Sequence, residues 1–340
     1  MIYRAALVGC GAVGWTMADD PLMAGDVFTH AQAYDISKKI NFVAVCDQSL
    51  DAANACANRF DVSHAYDDLS DMLVKERPEI VSVATPDATH AEIVRKIIDT
   101  GKSVKAIICE KPIALSLHDA SEMIERAEER GIALTVMYLR RHAENLSRLS
   151  DYLRSGVIGE IVAITGWYGK GVLHNGVHWF DQLRMLGGEV AWVEAADNLG
   201  EGGSDPTLDV TLGMMSGAVA TLRAVSDSKF TIFECDIITE RGRVLIKDSG
   251  HRLEIFHAGP SKLYSGYFEL EHYPIDLGTR RDVMLRAVEA LCESLDNHQK
   301  PISSGQEAIA PLRIAATAIE AAKTDKRIAL ASFTNPSSTQ

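Results

Sequence analysis

The chain has no C-x-x-C pair, no run of lysines or arginines, no internal repeat, and no uncharged stretch approaching the ~20 residues needed to cross a bilayer. Each absence closes off a class of protein. The six cysteines, Cys10, Cys46, Cys56, Cys109, Cys235 and Cys292, lack the paired spacing of a metal or redox motif. Most sit inside apolar runs, which suggests buried free thiols in a reducing compartment. Positive charge is the scarcer sign: 34 Lys and Arg stand against 47 Asp and Glu, a net charge of −13. A chain this acidic repels phosphate backbones, so neither nucleic acid nor membrane is expected as a partner. The N-terminus runs straight into an apolar pattern without the layout of a signal peptide, and a cytoplasmic protein is expected. What remains is an ordinary composition, 46% hydrophobic and 24% charged, which is neither disordered nor collagen-like. Its 340 residues suffice for about two domains.

In the first part, apolar runs at 5–8, 42–46, 80–84, 104–109 and 133–137 alternate with amphipathic stretches, among them 67–76, 89–99 and 116–130. Asp87 or Thr89 is a candidate cap for the second stretch and Ser116 for the third; Gly101 and Gly131 stand where C-terminal glycines belong. Runs apolar throughout, separated by helices, indicate a parallel sheet covered on both faces: a Rossmann-type doubly wound α/β domain over residues 1–138. After a helix at 144–153, residues 160–275 read mainly as strands. The stretch 231–240 sets Phe233, Cys235 and Ile237 on one face and Glu234, Asp236 and Glu240 on the other. Such alternation predicts a large, mostly antiparallel sheet with one open face. With helices at 177–186, 281–297 and 306–322 it makes an α+β domain over 139–335, and 335–340 is expected to fray.

Directly after the first run, Gly9-Cys10-Gly11-Ala12-Val13-Gly14 matches G-x-G-x-x-G. Gly9 allows a tight turn, Gly11 lets the backbone approach a pyrophosphate, and Gly14 lets strand and helix pack closely. A helix following at once would present free N–H groups to the phosphates. The second run ends at Asp47, a carboxylate suited to ribose hydroxyls and repellent to a 2′-phosphate, so NAD is expected rather than NADP. Asp47 lies 33 residues after Gly14 (47 − 14), against about 20 expected. A loop inserted over 19–28, between a shortened first helix and a helical turn near 29–34, would account for the excess.

The third run ends Ala84-Thr85-Pro86, with His90 four residues on, and the fourth ends Cys109-Glu110-Lys111-Pro112. Pro112 fixes the chain direction there and holds Lys111 extended. Later come Tyr168, Lys170 and His174-Asn175-Gly176-Val177-His178-Trp179-Phe180-Asp181. Together these motifs resemble the glucose–fructose oxidoreductase and inositol dehydrogenase family (Gfo/Idh/MocA) over nearly the whole chain. The resemblance implies hydride transfer between nicotinamide and a carbinol of a sugar, polyol or sugar derivative. Lys111 would orient the reacting hydroxyl and His178 would act as general base. Thr85, Pro86, His90, Glu110 and Lys111 itself would join the glycine loop and Asp47 in holding the cofactor, although His90 suits a packing role nearly as well. Tyr168, Lys170, His174, Asn175, Asp181 and Arg140 are candidate substrate contacts.

One position departs from the family: His174 stands four residues before His178, where many members carry an acid, and a histidine cannot supply that fixed negative charge. The spacing of His174, His178 and Asp181 admits a metal, but Asn175-Gly176 suggests a helix starting only after His174, and no metal is expected. Two other readings stand beside the dehydrogenase: an NAD-dependent glycosidase or lyase with transient oxidation, and a non-catalytic NAD-binding regulator. A homodimer or homotetramer joined through the open sheet face is expected.

Overall fold

The structure, a computed structural model, describes residues 1–200 and 203–330; the tail 335–340 lies outside the described residues. The chain divides into two units, Met1–Ala143 with Arg281–Ala310, and Glu144–Arg280 with Pro311–Gln340.

In the first unit, strands β1 (Tyr3–Val8), β2 (Ile40–Cys46), β3 (Ala65–Tyr66), β4 (Ile80–Val83), β5 (Ala106–Cys109) and β6 (Ala133–Val136) form a wholly parallel sheet in the order β3-β2-β1-β4-β5-β6. The order reverses between β1 and β4, the switch point at which doubly wound sheets bind ligands beyond their strand ends. β4 and β5 are buried along their whole length, as uninterrupted apolar strands under two helical layers must be. The helices are α1 (His30–Ile36), α2 (Leu50–Arg59), α3 (Leu69–Glu76), α4 (His90–Thr100) and α5 (Leu117–Glu129). Thr29, Ser49, Asp68 and Ser116 each accept a backbone N–H from the first turn of the helix they precede, and Thr29 forms a full capping box with Gln32. The cap expected for α4 is different. A 3₁₀ turn, Asp87–Thr89, leads into it, and the Thr89 hydroxyl donates to the Pro86 carbonyl at 2.7 Å instead of capping. Gly131 takes the left-handed conformation (φ +64°), whereas Gly101 does not (φ −79°).

The sequence reading draws a single boundary near residue 138, but Arg281–Ala310 belongs with the first unit. Helix α8 (Val283–Asp296) buries Val283, Met284, Ala287, Val288, Leu291 and Cys292 as one stripe and lies along α1. Polar contacts fasten it: Tyr3 Oη donates to Asp296 (2.9 Å), Lys39 Nζ to Glu293 (3.1 Å), and Thr135 Oγ1 to the Ser303 carbonyl (3.0 Å).

The second unit is built on β7 (Ile161–Tyr168), β8 (Val190–Ala196), β9 (Asp209–Met214), β10 (Val219–Ala224), β11 (Phe233–Thr239), β12 (Gly242–Lys247), β13 (Arg252–Pro260), β14 (Phe268–His272) and β15 (Ile328–Ala329), in the order β14-β13-β12-β11-β7-β10-β9-β8-β15. Among the described strands of this second sheet only β7 and β10 pair in parallel. Helices α6 (Glu144–Arg154) and α7 (Val177–Gly187) belong to this unit, as does α9 (Gly305–Thr324) from Pro311 onward. On β11 the expected alternation holds: Phe233, Cys235 and Ile237 are buried, and Glu234 and Asp236 face outward with Arg243 paired to Asp236. The Trp179 indole stacks on the Phe233 ring at 4.2 Å, which clamps α7 to the buried face. All six cysteines are buried and free. No helix of the described residues is long and apolar enough to cross a membrane.

Removing the indole of the fully buried Trp179 should cost about 3–5 kcal/mol. Urea unfolding of Trp179→Ala should show a lower midpoint at an unchanged slope, and Trp179→Phe, which keeps a ring over Phe233, should lose substantially less.

Candidate active site

In the glycine loop, a Cβ on Gly9 (φ +96°) would lie 2.5 Å from the Ala84 carbonyl oxygen, and one on Gly14 would lie 2.3 Å from the Gly9 carbonyl oxygen. Gly11 differs: nothing lies within 4 Å of where its Cβ would stand. The fold itself does not demand glycine there, and the open space fits a phosphate approaching the backbone. Cys10 is buried and packs in the core, and its N–H donates to Asp47 Oδ2 (2.8 Å). The N–H of Ser49 donates to Asp47 Oδ1 (2.9 Å). Asp47 is thereby fixed beside the loop, half-buried, with lone pairs left for two hydroxyls.

No regular helix follows the loop at once, contrary to expectation. The chain makes one turn through Ala12 and Val13, then two 3₁₀ turns, Thr16–Asp19 and Pro21–Met23, before α1 begins at His30. The N–H groups of His30 and Ala31 donate to the carbonyls of Val13 (3.1 Å) and Gly14 (3.0 Å). In a continuous helix residue 17 would make the first of those bonds. Thirteen residues (30 − 17) are therefore looped out, and α1 resumes the interrupted helix. Subtracting them from the 33 between Gly14 and Asp47 leaves 20, the spacing of an uninterrupted dinucleotide fingerprint.

His30, absent from the sequence reading, also holds the Glu-Lys-Pro turn. Its ring is fully buried, with Nε2 3.0 Å from Glu110 Oε1 and Nδ1 3.0 Å from Ser82 Oγ, and Ser82 Oγ lies 2.5 Å from Tyr34 Oη. Burial pushes the Tyr34 phenol well up, so it stays protonated. One donor order then serves every group: Tyr34 to Ser82, Ser82 to His30 Nδ1, His30 Nε2–H to Glu110. Glu110 Oε2 in turn accepts the Lys111 N–H at 3.3 Å. The Lys111–Pro112 peptide is cis. Glu110 and Lys111 stand half-buried just past β5, and Thr85 just past β4, with exposed Pro86 beside it. His90, a candidate cofactor contact, has a different role. It is fully buried, with Nδ1 2.8 Å from the Pro112 carbonyl and Nε2 2.9 Å from that of Thr85, so the ring packs between the two turns and donates its N–H to one of these carbonyls. Arg140 is buried in the 3₁₀ turn Leu139–His142 after β6.

In the second unit, Gly171–Gly176 forms a π-helical turn that runs directly into α7, so helical geometry starts before His174, not after it. The turn is held from outside. Asp205 Oδ1 accepts the Leu173 N–H (2.7 Å) and Oδ2 that of His174 (2.9 Å); the Gly171 N–H donates to Thr207 Oγ1 (2.9 Å) and the Val172 N–H to the Pro206 carbonyl (3.0 Å). Lys170 enters the turn in left-handed geometry, exposed, and Asn175 Nδ2 donates to the Gly169 carbonyl (3.0 Å). His174 is exposed, His178 half-buried with its ring edge on Phe233, and Asp181 buried. Tyr168 does not fit the role of a substrate contact: it is fully buried, and its hydroxyl is committed to the backbone of Leu208, carbonyl (2.7 Å) and N–H (3.2 Å). Its place on the inner face of β7 was set by strand pairing that a local reading does not see.

A glycine cradle at the switch point of a parallel sheet, with an acidic residue closing the second strand, defines a dinucleotide-binding unit. Residues 3–138 match the family model described as an oxidoreductase family with an NAD-binding Rossmann fold. That match covers 136 of the 340 residues, the dinucleotide-binding part of the chain. It is 32% identical to the D-glucoside 3-dehydrogenase of Escherichia coli K12 over 162 residues, 48% of this chain and 42% of that one. It is 25% identical to the myo-inositol 2-dehydrogenase of Thermotoga maritima, covering 89% of this chain and 91% of that one. The chain thus spans less than half of the first relative and most of the second. Among solved structures, levoglucosan dehydrogenase in complex with NADH and levoglucosan shares the fold at a TM-score of 0.79 and 16% identity, covering 97% of this chain and 99% of that one.

His30→Ala would leave the Glu110 carboxylate and Ser82 without their buried partner, at about 1–3 kcal/mol. A lower melting temperature is expected, while the glycine loop keeps its backbone contacts to residues 30 and 31. Differential scanning calorimetry of the variant beside the parent checks it.

Proposed function

We propose that the protein is an NAD-dependent dehydrogenase acting on a ring carbinol of a sugar, polyol or sugar derivative. The observation that carries this reading is the setting of Lys111. It follows β5 at the sheet edge that also carries the glycine loop and Thr85, on a turn backed by the buried chain Glu110–His30–Ser82–Tyr34. A binding-only protein needs the phosphate cradle but not a lysine on a braced turn beside it. The matched relatives, named as glucoside and inositol dehydrogenases, support the substrate class.

NAD, when bound, supplies the hydride acceptor. Gly11 and its neighbours would cradle the pyrophosphate, and Asp47 the adenosine ribose. Lys111 then holds the reacting hydroxyl by a charge-assisted hydrogen bond and stabilises negative charge on its oxygen as the proton leaves. His178 takes that proton, a task suited to imidazole because its ordinary pKa lies near working pH. The open face of the second sheet, where Trp167, Ile238 and Leu245 lie among the Asp236–Arg243 and Lys247–Glu254 pairs, is the face on which two copies would meet.

A screen of sugars, polyols and nucleotide sugars with NAD and with NADP, read as absorbance of the reduced coenzyme, tests the reading. At least one carbinol should give NADH, and Asp47→Ser should narrow the preference for NAD. Lys111→Ala should bind NAD normally yet turn over about 100- to 10,000-fold more slowly. Binding of NAD with no reduced coenzyme from any substrate would favour a regulator, and substrate cleavage without accumulation of NADH would favour the glycosidase or lyase. Light scattering at micromolar concentration should report a dimer or tetramer; a monomer would exclude the sheet face as a stable interface.

A further inference from the structure

The β13–β14 hairpin, within the second unit, exposes what a folded chain ordinarily covers. Leu263, Tyr264, Tyr267 and Phe268 are 80%, 68%, 69% and 76% exposed. The turn that carries them is tied internally. The Ser261 N–H donates to the Tyr267 carbonyl (2.8 Å), and Ser261 Oγ accepts the N–H groups of Leu263 (3.1 Å) and Tyr264 (3.2 Å). Glu269 accepts from Ser261 Oγ and from the Lys262 N–H, both at 3.2 Å. Polar groups of the turn are thus met from within, while its large apolar side chains stand in water. The three rings alone expose about 300–500 Å², as much as the largest apolar patch of a typical monomer.

Two further features lie along the same hairpin. β14 ends its sheet and pairs with β13 alone among the described strands, so its outer backbone groups form an open edge. At the other end of the hairpin, a pocket of about 400 Å³ is lined mainly by Leu253, Ile255, Tyr273, Pro274, Ile275 and Leu277. An apolar knob stands at one end of a free edge and an apolar hole at the other. A two-fold axis through Leu270 sets residue 267 opposite 273 of a second copy, and 263–265 opposite 275–277. Glu269 would face Glu271 of the other copy, a like-charge pair. Each carboxylate is already engaged, Glu271 by Lys262 Nζ (2.5 Å) and Glu269 by the turn. Exposed rings also suit a lipid surface, but a net charge of −13 sets this chain against an anionic membrane.

We propose that two copies of this chain meet edge to edge along β14, antiparallel, with the turn 261–267 of each seated in the pocket of the other. The contact is isologous, so one rotation fills both pockets and pairs both edges. The rings of two copies contribute about 600–1,000 Å², a large part of the ~1,600 Å² of a standard interface. This contact is separate from the open sheet face and does not rest on the dehydrogenase reading. With both contacts made, the assembly is a tetramer.

Light scattering of the full-length protein at micromolar concentration tests it. Tyr264→Lys in the turn and Ile275→Asp at the pocket change exposed side chains, so each variant should keep the parent's melting temperature and show half its mass. Mixing the two variants should restore the mass: an intact turn meets an intact pocket at one seat, and the introduced opposite charges meet at the other. Register is read by the double variant Tyr267→Cys/Tyr273→Cys, which a short bismaleimide should convert to a covalent dimer. Within one chain those positions are about 20 Å apart, and the six native cysteines are buried. A monomeric parent, a single variant of parental mass, or no covalent dimer would each overturn the proposal. A monomeric parent that sediments with phosphatidylcholine–phosphatidylserine vesicles would give the rings to lipid instead. None of these measurements reads turnover, so their failure leaves the dehydrogenase reading untouched.

Discussion

The first unit depends on two backbone hydrogen bonds, from the N–H groups of His30 and Ala31 to the carbonyls of Val13 and Gly14. They splice α1 onto the turn that leaves the glycine loop. With the splice made, 13 residues become a surface excursion, and β2 can end with Asp47 against the loop. The same splice delivers the His30 imidazole beneath the sheet edge, where it meets Glu110 and Ser82. The geometry of the phosphate cradle and that of the Lys111 turn are therefore set by one junction. An insertion at this point is tolerated because loop-closure entropy grows slowly with length, provided the junction itself stays rigid.

A comparable logic governs the turn before α7. A π-helical turn leaves N–H groups without the partners a regular helix would give them. Here they are met by a carboxylate, a hydroxyl and a carbonyl from the segment 205–207, and α7 is pinned from its other side by the Trp179–Phe233 stack. His174 and His178 thus ride on a segment whose irregularity is fully compensated, which is how a strained element persists at a site.

What the sequence reveals follows from the range of the interactions. Strands β1, β2, β4, β5 and β6 and helices α3 to α9 are legible because apolar periodicity and caps are local properties of the chain. β3, of two residues, carries too little pattern, and α2, six of whose ten residues are alanine or asparagine, blends into its surroundings. The return of α8 to the first unit is invisible locally: an amphipathic helix states that it has a buried face, not what buries it. The same limit explains the site. Glycines, Asp47 and Lys111 announce themselves by motif, but His30 acts on partners 52 and 80 residues away, and Asp205 on a turn 31 residues upstream. Tyr168 misleads in the opposite sense, because a polar side chain near a motif reads as a ligand contact until its hydrogen bonds are counted. The capping-box pattern Thr29-x-x-Gln32 was the one local signal that could have drawn attention to His30, since it places the helix start one residue earlier.

Buried polar chains are costly when incomplete, and that constrains how this site can vary. Tyr34, Ser82, His30 and Glu110 each hold a partner on both sides except at the ends, so deleting any member strands another in a low-dielectric setting. Replacing one member alone is penalised even where the chemistry does not need it. The return for that rigidity is a fixed turn: Lys111 follows Glu110, which His30 holds, and the His90 ring packs between the Pro112 and Thr85 carbonyls, so under the proposed reading little reorganisation would remain when charge develops on a substrate oxygen. The turn that carries His174 in the other unit is supported differently, by the half-buried Asp205 carboxylate and its neighbours in the segment 205–207 instead of a buried chain.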